Sequence, residues 1–168
     1  MMLAQTPNPT AERRAAVRME EILEHILTRY HQPLPAELDR LVGLAARVVE
    51  RHMNAEPKRL PAVYDALVHL RSSLLEHMTK EEQVLFPWIL SGERLPADGP
   101  IQAMLADHEH TDEALASLRA LTRDYALPST ACKLWRDLWR GIEGLERDLH
   151  LHHALENEVL VPRIAVAE

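Results

Sequence analysis

Apolar residues recur along most of the chain at alternating spacings of three and four. Between residues 11 and 30 they are Val17, Ile22, Leu23, Ile26, Leu27 and Tyr30, and from 34 to 52 they are Leu34, Leu38, Leu41, Ala45 and Val48. From about Pro61 to Phe86 the stripe is Val63, Leu67, Leu70 and Leu74. Another opens at Pro100 with Ile101 and Met104 and passes through Leu115 and Leu118 to about Tyr125. The last runs from about Ser129 to Val161 through Leu138, Ile142, Leu145 and Leu149. Such spacing marks one face of an α-helix. Pro33 and Pro35 break or kink the first pair of helices, with Pro35 suited to a first helical turn. Pro57 and Pro61 punctuate a loop, and the stretch SGERLPADGP is a connection. The pattern predicts an all-α fold, an antiparallel up-down-up-down four-helix bundle with an extra N-terminal helix. Residues 1–10 are expected to be a disordered tail and 11–168 the bundle domain.

Two of these stripes carry polar residues where leucines belong. In HMTKEEQVLFPWI (77–89) the stripe continues through His77, Glu81, Val84 and Trp88, and in HHALENEVLVPRI (152–164) through His152, Glu156 and Val159. The two segments are identical at six of thirteen positions. The likeness extends upstream: His31 is followed by Leu38, Leu41 and Leu44, and His108 at the same offsets by Leu115, Leu118 and Leu121. The chain reads as two helical hairpins, each contributing two histidines and one glutamate.

A single His-x-x-x-Glu pair is ordinarily a solvated i, i+4 pair. The pairs His77/Glu81 and His152/Glu156 instead lie on core stripes, as does His108 between Met104 and Thr111. Buried carboxylates cost several kcal/mol each unless a cation or strong donors compensate, and one shared metal centre would satisfy all of them. At about 1.5 Å per helical residue, His31, His77, His108 and His152 reach the same half of the bundle. His52 is the doubtful member, since it stands 21 residues from His31 on one helix, a rise of about 30 Å. His153 and Asp112 are supplementary candidates, the first beside His152 and the second one turn after His108. His25 and His69 read as surface or partly buried residues, and His110 and His150 fall off the stripe.

Nitrogen and carboxylate donors without thiolate suit iron or manganese best, with zinc a possible substitute. Two glutamates near the local two-fold axis can each bridge two ions, leaving two histidines for each ion, which favours a dinuclear iron centre. The net charge of −7 and the lack of a basic stripe argue against nucleic-acid binding. No apolar run approaches the roughly 20 residues of a membrane span, and the N-terminal stretch lacks a signal-peptide core. One cysteine, Cys132, excludes an internal disulfide and fits a reducing, cytoplasmic setting. No Gly-rich loop or nucleophile signature appears, so no classical enzyme activity is expected. Trp135 and Trp139 are expected to pack within the last helix pair.

These residues resemble the hemerythrin-like (HHE cation-binding) domain, most closely the C-terminal domain of the bacterial iron–sulfur cluster repair family. The resemblance is carried by TRYHQPLP (28–35), HMTKEEQVLFPWI, ADHEH (106–110), PSTACKLWRDLWRGI (128–142) and HHALENEVLVPRI. It implies that His31, His77, His108 and His152 are iron ligands, with Glu81 and Glu156 as bridging carboxylates; His52 also falls on a histidine of the family pattern. It further implies two iron ions and a role in nitrosative and oxidative stress, repairing damaged iron–sulfur proteins by iron donation. An O2- or NO-binding or sensing protein is the alternative, and a metal-free structural bundle the third. The repair family's N-terminal domain with a close cysteine pair is expected to be missing, because Cys132 stands alone. Glu109 and Val161 also depart from the family's Asp and Phe.

Overall fold

The computed structural model describes residues 18–92 and 99–166. The expected tail at 1–10, residues 11–17 of the first expected helix and most of the SGERLPADGP connection lie outside the described residues. Helix α1 (Met19–Ile26) leads through a π turn (Leu27–His31) into α2 (Leu34–His52). Helix α3 (Arg59–Lys80) continues through a π turn (Glu81–Leu85) into α4 (Phe86–Ser91). Helix α5 (Pro100–Leu121) is followed by α6 (Lys133–Leu155), which passes through a π turn (Glu156–Leu160) into α7 (Val161–Val166). The four long helices α2, α3, α5 and α6 form the bundle, with α2 packed against α3 and α6, and α3 against α5. No separating loop precedes α2: the backbone stays helical through Gln32 and Pro33, so α1 prolongs α2 and lies against α4.

The three π turns correct the expectation that the third and last stripes end at their prolines. Proline donates no N–H and its ring collides with the carbonyl four residues back, so an uninterrupted α-helix rejects it. Here each π turn closes on the amide just before a proline: Gln32 donates to the Leu27 carbonyl at 2.9 Å, Phe86 to that of Glu81 and Val161 to that of Glu156. Pro33, Pro87 and Pro162 then follow a widened turn, and the helical path goes on. The inserted residue also advances the inward stripe by one. Val84, expected inside, is 50 % exposed while Leu85 is buried, and Leu160 is fully buried in place of the half-buried Val159. Trp88 is likewise only half-buried, whereas Phe86 is buried.

Two further boundaries differ. Helix α5 stops at Leu121 rather than near Tyr125, because Arg123, Asp124 and Tyr125 adopt left-handed φ values of 54°, 56° and 60°. For residues with a side chain this conformation costs roughly 1–2 kcal/mol each. Glu146 of α6 holds the turn: it accepts bonds from Arg119 at 2.7 and 3.0 Å and from the Tyr125 hydroxyl at 2.6 Å. Burial drives the Glu146 carboxyl up, but these donors outweigh it and keep it below the usual carboxylate range. Helix α6 starts at Lys133 rather than Ser129, since the Pro128 carbonyl accepts the Ala131 amide in a tight turn.

Two apolar clusters fill the interior. The larger runs along the bundle and includes Leu38, Leu41, Leu67, Leu118, Trp135 and Trp139; the smaller joins α1 and α4 through Ile22, Ile26, Leu85, Phe86, Met104 and Leu160. Along the helices of the bundle the inward histidines and glutamates fall between residues of one cluster and residues of the other. Packing is close where α6 crosses α2: a Cβ added at Gly141 would collide with Leu41 Cδ2 and lie 2.8 Å from Arg40 Nη2. Leu41 is fully buried and has little room to yield. Overpacking costs roughly 1–3 kcal/mol, and alanine's better helix propensity returns about 1 kcal/mol. Gly141→Ala should therefore destabilise the protein by about 1 kcal/mol in urea denaturation; a stabilised variant would show that α2 and α6 can move apart freely.

Candidate metal centre

Six residues meet between the two apolar clusters. His31 ends the first π turn, Glu81 and Glu156 open the other two, His77 and His152 lie one turn before those glutamates, and His108 projects from α5. None is more than 2 % exposed. Their ligand atoms form two groups, His31, Glu81, His152 and Glu156 on one side and His77, Glu81, His108 and Glu156 on the other, each within 4.8 Å. Both glutamates belong to both groups. Glu81 Oε2 lies 3.3 Å from His31 Nε2 and 3.4 Å from His77 Nε2. Glu156 turns one oxygen each way, Oε1 to His152 Nε2 at 2.9 Å and Oε2 to His108 Nε2 at 3.2 Å. A π turn at each glutamate's position widens the helix where the carboxylate must reach the axis, a use these bulges often have at functional sites.

A cation would satisfy several polar atoms here that the protein leaves without partners. Both oxygens of Glu81, both ring nitrogens of His77 and Nε2 of His108 lack a well-formed hydrogen bond among the described residues, an arrangement that costs roughly 1–3 kcal/mol per buried group without another partner. The Nε2 atoms of His31 and His152 face each other at 3.2 Å, a contact that calls for a proton or a cation between two lone pairs. Outer groups fix the tautomers. His31 Nδ1 donates to Glu82 at 2.9 Å, and His108 Nδ1 donates to the Asn157 side-chain carbonyl at 2.9 Å. Each ring therefore turns a bare Nε2 inward, as metal-bound histidines do. His77 Nδ1 faces Asp107 at 3.5 Å.

Without metal, the two carboxyls shift in opposite directions. Burial raises the Glu81 carboxyl, opposed by His31 and reinforced by repulsion from Glu156. Burial acts on Glu156 in the same sense, but its contacts with His108 and His152 outweigh it and its carboxyl is strongly lowered. Burial lowers both His31 and His108, yet Glu81 and Glu82 around the first, and Glu156 and Asn157 around the second, turn the net shift upward. At His77 burial prevails and the shift is downward.

His52 stands apart. Its Nε2 contacts Cys132 Sγ at 3.1 Å and its ring lies 5.0 Å from that of Trp135, within the larger apolar cluster's end of the bundle. Asp112 is 55 % exposed and does not join the groups, although it lies 3.5 Å from His153 Nδ1. His25, His69, His110 and His150 are exposed. His153 is buried, with a ring nitrogen grouped with those of His77 and His108. The sequence pattern passed over Glu82 and Asn157, which occupy the same offset after Glu81 and Glu156; their shared position was the available signal, masked by their different identities. It also passed over Tyr30, whose ring stacks on His152 at 4.8 Å and 6°. A groove of about 790 Å³ between the first and last long helices is lined by Tyr30, Leu34, Gly141 and Gly144 and reaches His152.

The family described as hemerythrin HHE cation-binding domain matches residues 22–165. An iron–sulfur cluster repair protein YtfE of Cronobacter sakazakii is 39 % identical over 155 residues, covering 91 % of this chain and 69 % of that protein. An iron–sulfur cluster repair protein DnrN of Neisseria gonorrhoeae is 37 % identical over 142 residues, covering 84 % of this chain and 88 % of its own. A YtfE protein of Escherichia coli is 37 % identical over 150 residues, with 89 % and 68 % covered.

Proposed function

The chain belongs to the hemerythrin HHE cation-binding domain family, and on that premise we propose that it holds two iron ions and donates iron to damaged iron–sulfur proteins. The observation that carries the dinuclear reading is the sharing of Glu81 and Glu156 by two adjacent ligand groups. One ion would take His31 and His152, the other His77 and His108, with both carboxylates common to the pair. Manganese or zinc fits the same donors. Bound iron would supply redox change and ligand exchange. The residues themselves orient and shield: Glu82 and Asn157 hold two imidazoles in the metal-binding tautomer, and the apolar clusters keep bulk water from the carboxylates. Cluster repair is the activity named for the relatives, and its extension to this chain rests on that likeness. No helix among the described residues is long and apolar enough to cross a membrane, which accords with a cytoplasmic place of action.

Protein loaded with an iron isotope, mixed with an iron–sulfur protein whose cluster has been destroyed by nitric oxide, should pass its label into the restored cluster. Label that stays with the loaded protein while unlabelled free iron rebuilds the cluster would contradict donation. The groove reaching His152 past Tyr30 favours a second reading, uptake of a small ligand such as O2 or NO. That reading expects a reversible optical change with no loss of iron.

A further inference from the structure

We propose that Tyr30 is a positioning residue for His152, holding the imidazole by stacking where polar side chains serve the other three ligand histidines. Through that contact it controls release of the ion on the His31/His152 side. The inference rests on the dinuclear reading above and goes beyond it in naming what holds each ligand from outside.

The internal repeat pairs His31 with His108, His77 with His152, and Glu81 with Glu156. The outer partners obey the same pairing. Glu82 and Asn157, each next after its glutamate, bond Nδ1 of His31 and of His108 at 2.9 Å. Asp107 immediately precedes His108 and faces His77 Nδ1 at 3.5 Å. The residue that immediately precedes His31 is Tyr30. It meets His152, the counterpart of His77, with ring centroids 4.8 Å apart and planes 6° from parallel. Tyr30 thus takes the fourth outer position, and there a ring face stands where the other three have a carboxylate or an amide.

This difference has a consequence for the ligand. His152 is 1 % exposed, and its Nδ1 has no hydrogen-bond partner among the described residues. A hydrogen bond at Nδ1 fixes the rotation of an imidazole within its own plane. A stacked ring fixes the plane alone, because turning the imidazole about its normal keeps the faces together while Nε2 swings off the ion. The tyrosine itself is secured from its own helix: Arg29 Cζ lies 5.1 Å from the ring centroid, and His25 meets the ring edge-on at 5.9 Å. Tyr30 and His152 both line the groove of about 790 Å³, so the ligand with least directional support borders an opening. His152 is the ligand that turns aside when an ion leaves, and the stack with Tyr30 is what opposes that turn.

The test loads the full chain with ferrous iron, as wild type, Tyr30→Phe, Tyr30→Leu and Tyr30→Met, counts the iron bound, and follows its release to an excess of chelator. Circular dichroism checks the fold of each variant, and the two aliphatic variants differ in shape so that either can decide. An aromatic stack is worth roughly two- to tenfold in an equilibrium beyond the area it buries. Tyr30→Phe keeps the ring and should release iron as wild type does. Tyr30→Leu and Tyr30→Met remove it and should lose one equivalent about two- to tenfold faster, with the rate of the other unchanged. Unchanged release in the aliphatic variants, or both equivalents accelerated alike, would overturn the role of Tyr30. So would Tyr30→Phe behaving as Tyr30→Leu, which would place the effect in the hydroxyl. Each of these results leaves two irons per chain and the dinuclear reading intact, whereas wild type that binds fewer than two would overturn that reading and this inference with it. A readout without metal stands beside these: in metal-free wild type the His152 ring protons should resonate upfield under the Tyr30 ring current. Unshifted resonances would overturn the stack whatever the variants do.

Discussion

Glu81→Gln should leave the metal-free protein at least as stable as wild type and abolish most of its stabilisation by iron. The two effects have opposite signs because Glu81 is poorly served without metal. It is 1 % exposed, its contacts to His31 and His77 are 3.3 and 3.4 Å, and neither oxygen makes a well-formed hydrogen bond among the described residues. Burial raises its carboxyl, which means that its charge is costly here, and an amide of the same shape removes that charge. In the proposed centre Glu81 would serve both ions, a role that an amide, lacking the negative charge, would fill poorly. A ligand that binds only the native state adds about 4 kcal/mol at a thousandfold excess over its Kd, and most of that should vanish. Thermal melts with and without ferrous iron would check it. An iron-dependent shift equal to that of wild type would contradict the assignment of Glu81. Glu156→Gln should differ, weakening the metal-free protein too, because Glu156 accepts from His152 at 2.9 Å.

Stripping the metal should be the larger perturbation for the whole fold. For a chain of this size about 1 kcal/mol corresponds to 2–4 °C in Tm, so losing about 4 kcal/mol should lower Tm by roughly 10 °C. Helix content should survive, since both apolar clusters lie outside the site. Acid should strip the ions steeply. Each ligand imidazole must be neutral to bind, and histidine protonates near pH 6.5, so several protons compete for the same centre at once. Iron release should accordingly rise more steeply with falling pH than a one-proton curve, as read by a chromogenic chelator. Release with a one-proton slope, or a Tm indifferent to chelation, would contradict a multi-histidine site.

The bundle and its six inward donors were legible because burial imposes a period, and a polar residue on that period is conspicuous. His77, Glu81, His152 and Glu156 continue leucine stripes, and the internal repeat tied them to His31 and His108. The same periodicity failed a few residues further on. A π turn inserts one residue, which moved the inward position from Val84 to Leu85 and from Val159 to Leu160. The prolines that looked like stops, Pro87 and Pro162, were the trace of those turns, each lying just after the amide that closes the wider ring. The turn after α5 left little trace, because of Arg123, Asp124 and Tyr125 only Asp124 is of a type that visits left-handed backbone readily. It depends on Glu146, a contact across helices that local sequence does not encode. Glu82 and Asn157 were hidden for a similar reason: their role lies in a tautomer they fix on another helix. His52 shows the converse, a family-pattern histidine that helical rise keeps away from the site and beside Cys132.

The central claim is that this layer of histidines and glutamates holds two iron ions. Elemental analysis of protein produced in iron-replete cells and purified without chelator tests it most directly. About two irons per chain is the result expected from two ligand groups sharing Glu81 and Glu156. Near-zero metal that persists after anaerobic reconstitution with ferrous iron would contradict it, and would make the layer a buried hydrogen-bond network in a structural bundle.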